Sequence, residues 1–88
     1  MDDMLYNELF ERLDRAITQI TAVKSQVAKR DLVKMVRAID GKITAVDQEK
    51  VECRRLHKAT PKYQELRQQV YELIDNLEKH IVFAALIG

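Results

Sequence analysis

The sequence predicts an all-α protein, a small antiparallel bundle of three helices spanning about residues 3–28, 31–58 and 61–86 of a single domain, 1–88. Three observations lead there. The composition is 47 % hydrophobic and 33 % charged, with two glycines, one proline and no tryptophan, which suits long helices and leaves few residues for tight turns. Apolar residues recur at alternating steps of three and four along three separate runs. The lone proline, Pro61, stands between two of those runs.

The first run is Tyr6, Leu9, Leu13, Ala16, Ile20, Val23 and Val27, one seam down an α-helix. Asp2 and Asp3 lie just ahead of it, where a helix start favours a cap and negative charge. Continued forward, the same phase meets Arg30, Lys34, Arg37 and Gly41, none of which suits a core, so the seam ends near Val27.

The second run, Leu32, Val36, Ile39, Ile43 and Val46, then Cys53 and Leu56 beyond an interrupting Lys50, is out of phase with the first. A break is therefore expected at Ala28 to Asp31. Lys29 and Arg30 would close the first helix against its negative end, and Asp31 would cap the second. The competing expectation is a continuous first-plus-second helix, a long helical hairpin overall, with Ala28 bridging the phase change as a coiled-coil stutter does. A further competitor is a short β-hairpin at Asp40-Gly41, because that pair between apolar-rich arms is a two-residue turn signature. The helical step from Ile39 to Ile43 argues against it.

Around His57 to Tyr63 the phase resets again. Thr60 is placed to cap and Pro61 to occupy the first helical position, where a missing N–H costs nothing. Tyr63, Leu66, Val70, Leu73, Leu77, Ile81 and Ala84 form the third seam.

The residues that could carry chemistry are few. Glu49, Cys53 and His57 are spaced four apart, and their side-chain types can bind zinc. No matching Cys or His pair accompanies them, so Cys53 is expected to pack as a small hydrophobe and no metal or cofactor is assigned. Cys53 and His57 as nucleophile and base would lack oxyanion donors and an orienting third group, and the two glycines are too far apart for a phosphate loop. No catalytic residue is assigned.

The formal net charge is +1, so no global field draws the chain to nucleic acid or to an anionic membrane. Locally the balance is uneven. Asp2, Asp3, Glu8, Glu11 and Asp14 face one base, Arg12, in the first fourteen residues, while Arg30, Lys34, Arg37 and Lys42 follow as a basic ridge able to hold anions or nucleic acid. Arg54, Arg55, Lys58 and Lys62 could extend such a surface. The start Met1-Asp2-Asp3-Met4 is not laid out as a signal peptide, and the apolar run from Ile81 is short of the ~20 residues that span a bilayer. A single cysteine suits a reducing compartment, so a cytoplasmic protein without a membrane span is expected.

Ile81 to Ile87 is hydrophobic all round, and Met4, Leu5 and Tyr6 with Leu9 and Phe10 form a second wide patch. In an up-down-up bundle these lie at opposite poles and cannot cover each other. Phe10, Ile81, Val82, Phe83 and Leu86 are accordingly expected at a protein interface. The function expected is that of a non-enzymatic, coiled-coil-like interaction module, such as an adaptor, regulator or chaperone-like assembly subunit. Its partners would be itself, as a homodimer or higher oligomer, and another helical protein. The alternative is a nucleic-acid accessory protein using Arg30, Lys34 and Arg37.

Overall fold

The computed structural model describes residues 3–87 and contains three α-helices, with no strand among them. They are α1 (Asp3–Thr21), α2 (Gln26–Leu56) and α3 (Pro61–Ile87). The capping role expected of Asp2 and of the Asp3 carboxylate lies outside the described residues, as do the side chains of Met4, Leu5 and Ile87. Among the described residues no helix is long and apolar enough to cross a membrane.

The helices run up, down and up. Tyr6 near the start of α1 meets Lys50 late in α2 and Arg67 early in α3, and Arg12 meets Asp75 and Glu78 further along α3. At about 1.5 Å per residue, the 31 residues of α2 account for nearly all of the 49 Å length of the bundle. Arg12 is the polar tie between α1 and α3. Its Nε and Nη2 donate to Glu78 at 3.2 and 2.5 Å, and Nη2 also reaches Asp75 at 2.6 Å. Hydrogen bonding to Glu78, then to Asp75, raises the guanidinium pKa further above its ordinary value.

The first break falls earlier than Ala28 to Asp31. Helix α1 closes with Ala22 N–H and Val23 N–H donating to the carbonyls of Gln19 and Ile20, bonds of the tighter i to i+3 type that end many helices. Ser25, in extended backbone, then caps α2 by accepting from Ala28 N–H at 3.3 Å. Asp31 is an exposed residue inside α2, not its cap, and Val27 points to solvent instead of ending the first seam. Lys29 does serve the end of α1, but from the neighbouring helix, where its Nζ donates to the Thr21 carbonyl at 3.4 Å. The break also rules out one continuous helix.

Asp40-Gly41 forms no hairpin. Both residues lie within α2, and Ile39 and Ile43 keep their helical step into the core and its edge. Gly41 is exposed, and a Cβ built on it meets nothing within 4 Å. Gly41→Ala is therefore expected to stabilise the protein by about 1 kcal/mol, seen as a rise of roughly 4–8 °C in the thermal midpoint. A lower midpoint would show that Gly41 has a role beyond propensity.

Along α2 the fully buried positions are Leu32, Ile39, Val46 and Cys53, seven apart, with Val36 and Ile43 partly buried between them. Lys50, the interruption in the seam, holds its Nζ 5.0 Å from the Tyr6 ring centroid, so a seam lysine is accommodated by an aromatic face. Helix α2 ends on His57 in the left-handed region (φ 56), with Lys58 N–H donating to the Cys53 carbonyl at 3.1 Å and His57 N–H to the Arg54 carbonyl at 3.3 Å. This reverse pattern satisfies the final carbonyls.

The turn into α3 forms as its residues predict. Thr60 is buried, and its Oγ1 accepts from Tyr63 N–H at 3.1 Å while donating to Glu49 Oε1 at 3.0 Å. Pro61 opens the helix. Tyr63, Val70, Leu77, Ile81 and Ala84 are buried, but Leu66 and Leu73 are only partly so, and Ile74, absent from the predicted seam, is fully buried. Helix α3 packs against both α1 and α2, so its apolar stripe is wider than a two-helix seam.

Candidate functional site

Exposed apolar side chains lie along all three helices, and three of the most exposed, Val82, Phe83 and Leu86, stand together at the pole where α1 ends and α3 finishes. Ala22 and Val23, in the turn after α1, face Ile81, Val82, Ala84 and Ala85 across an open cleft of about 540 Å³, with Gln19 and Lys24 completing its lining. Small residues on both sides keep the helix ends from filling this space. At the lip of the cleft, Val82, Phe83 and Leu86 are 60, 68 and 80 % exposed, an unusual degree for apolar side chains within one turn of a single helix.

Two of the predicted interface residues do not join them. Ile81 is only 5 % exposed; it belongs to the core and forms part of the cleft floor. Phe10 is 38 % exposed on α1, nearer the opposite pole, where its ring packs edge-on against Tyr6 at 5.3 Å. The expectation of a wide apolar tail carried no signal for the cleft, because that depends on which residues the turn after α1 brings opposite Ala84 and Ala85.

The basic ridge is also narrower than predicted. Arg30, Lys34 and Arg37 are exposed along α2. Lys42 leaves the row: it is partly buried against α3, where it lines a smaller cavity of about 360 Å³ with Gln69, Glu72, Leu73 and Asn76. Arg55 pairs with Glu52, whose carboxyl it holds below the usual range, and Lys62 lies 3.9 Å from Glu49. Arg54, Arg55, Lys58 and Lys62 sit around the α2–α3 turn, at the other pole from Arg30.

Of Glu49, Cys53 and His57, the first two converge on Thr60 and only His57 leaves the group. Cys53 is buried with its Sγ 3.5 Å from Thr60 N, the Glu49 carboxylate accepts from Thr60, and His57 turns outward in the left-handed cap. Among the described residues no group of three or more His, Cys, Asp and Glu could hold a metal ion.

At the α2–α3 pole two cations lie over the Tyr6 ring, Lys50 Nζ at 5.0 Å and Arg67 Cζ at 5.1 Å from its centroid. Burial first, then the nearby Asp47 charge, push its phenol from 10.0 up to about 12, against the lowering pull of Arg67. Because the unfolded chain releases this proton near pH 10 and the folded one near 12, stability is expected to fall as pH rises through that window. Phenolate absorbance should show a late-ionising tyrosine that Tyr6→Phe removes; ionisation of every tyrosine near pH 10 would contradict the burial.

Comparison with family models, curated proteins and solved structures finds no match to this chain. What the fold and surface define is a class, a three-helix bundle with an uncovered apolar pole.

Proposed function

We propose that the protein is a non-enzymatic helical interaction module, an adaptor, regulator or chaperone-like assembly subunit of the cytoplasm, which associates with itself and with helices of other chains. The observation that carries this is the exposure of Val82, Phe83 and Leu86 beside the apolar cleft. A cleft between two helix ends, with large side chains at its lip, suits an amphipathic helix laid across it. Burying such anchors supplies affinity, while surrounding charge selects the partner.

The test compares Phe83→Glu with Val51→Glu, which adds the same charge at an isolated exposed valine of α2. With helicity unchanged in both, Phe83→Glu is expected to abolish self-association and the capture of protein partners from cytoplasmic extract, and Val51→Glu to preserve them. Equal behaviour of the two variants would refute the assignment of the pole.

A second function has one observation in its favour. Arg30, Lys34 and Arg37 are exposed at helical spacing with no ion-pair partner among the described residues. If this ridge holds a nucleic-acid backbone, duplex DNA affinity should fall with salt at a log–log slope of about −0.9 per phosphate contact and vanish in Arg30→Glu/Arg37→Glu. Salt-independent or absent binding removes this function.

A further inference from the structure

We infer that the occupant of the apolar pole is a second copy of this chain, docked head to tail through the open edge of its α1. The inference rests on the interaction-module function and specifies the self-contact. Two surfaces on the page are complementary. On α1, Phe10 and Ile17 are seven residues apart, and both remain about 40 % exposed. Asp14 stands one turn from each of them, and Glu11 one turn from Asp14; both acids are exposed and without an ion-pair partner among the described residues. Arg15 is an exposed base one turn from Glu11, but Glu8, Glu11 and Asp14 outnumber it, and Arg12 is engaged by Asp75 and Glu78. This edge is therefore apolar and acidic.

The pole is apolar and basic. Lys24 lines the cleft, Lys79 is exposed one turn before Val82 and Phe83, and Lys29 and Arg30 lie in the opening turns of α2 beside the end of α1. The acids nearby are Asp31, Asp75 and Glu78, and the last two are engaged by Arg12. Two basic poles set against each other would repel, which disfavours a symmetric tail-to-tail dimer. An acidic edge on the pole pairs opposite charges around apolar anchors on both sides. Because the two surfaces differ, each copy keeps one free, and the assembly grows or closes into a ring instead of stopping at a symmetric pair.

Charge reversal tests this with the full chain. In sedimentation velocity at low salt, the wild-type weight-average mass is expected to rise past two subunits between micromolar and submillimolar concentration, and to fall at high salt. Glu11→Lys/Asp14→Lys and Lys24→Glu/Lys79→Glu should each weaken self-association at least about tenfold. Their equimolar mixture should restore it, since a basic edge then meets an acidic pole. Restoration cannot come from misfolding.

Several results overturn the inference. A dimer whose mass stops at two subunits and ignores both reversals would mean a symmetric contact, leaving the interaction-module function standing. Failure of the mixture to associate would exclude the edge-to-pole contact. A wild-type monomer that co-sediments with phosphatidylserine vesicles would assign the pole to a lipid surface. A monomer that does neither, with partner capture indifferent to Phe83→Glu, would remove the function as well.

Discussion

Ile74→Ala is expected to cost about 2–5 kcal/mol, the loss that follows when a buried branched aliphatic leaves a cavity in a packed core. Ile74 is completely enclosed, whereas its neighbour Leu73 is only partly buried, although the three-and-four spacing of the third seam points to Leu73. Leu73→Ala should therefore cost distinctly less. For a chain of 88 residues the larger loss is a substantial part of the ~5–15 kcal/mol that stabilises a typical domain. The measurement is urea unfolding followed by circular dichroism, with the midpoint shifted and the slope unchanged. A greater loss for Leu73→Ala would mean that α3 packs on one neighbour as in a two-helix seam, and that α1 is not docked as described.

Thr60→Val should cost about 1–3 kcal/mol for the removal of a single hydroxyl at nearly constant volume. That hydroxyl accepts from Tyr63 N–H at the start of α3 and donates to the Glu49 carboxylate on α2, so its loss opens a helix cap and an interhelical bond together. Thr60 is buried, and water cannot readily take its place. Thr60→Ser retains both bonds and should lose less. If Thr60→Val unfolds at the wild-type urea concentration, the turn is not held by this side chain, and Pro61 with the reverse cap at His57 suffices to set the angle between α2 and α3.

Much of the fold was legible because helices announce themselves locally. Tyr6, Leu9, Leu13, Ala16, Ile20 and Val23 are all buried as their spacing predicts, and the Thr60-Pro61 pair caps and starts α3. The earlier break was also written in the residues, in Ser25 placed three before Ala28. Val27 obscured it, since an apolar residue at the next seam step reads as core even when it faces water. Asp40-Gly41 misdirects in the opposite sense. A turn pair can sit on the solvent face of a long helix when the residues around it are anchored in a core, at a cost of about 1 kcal/mol for the glycine.

The candidate site was legible only in part. An apolar run at the end of α3 implies uncovered surface, but which of its members are uncovered depends on where α1 stops and how closely it approaches α3. Ile81 turns inward while Val82 and Phe83 remain outside. Lys42 leaves the ridge of Arg30, Lys34 and Arg37 because its side of α2 faces α3.

By itself, the sequence determined the helical class, the apolar face of α1 through Val23 and the capped turn at Thr60-Pro61. Those features follow from the helical period and from hydrogen bonds within a few residues of chain. Tertiary structure alone decided that Ile74 is core, that Lys50 lies over an aromatic ring, and that Val82, Phe83 and Leu86 flank a cleft. Each of these depends on the side from which a second helix arrives, and the periodicity of one helix carries no information about that direction.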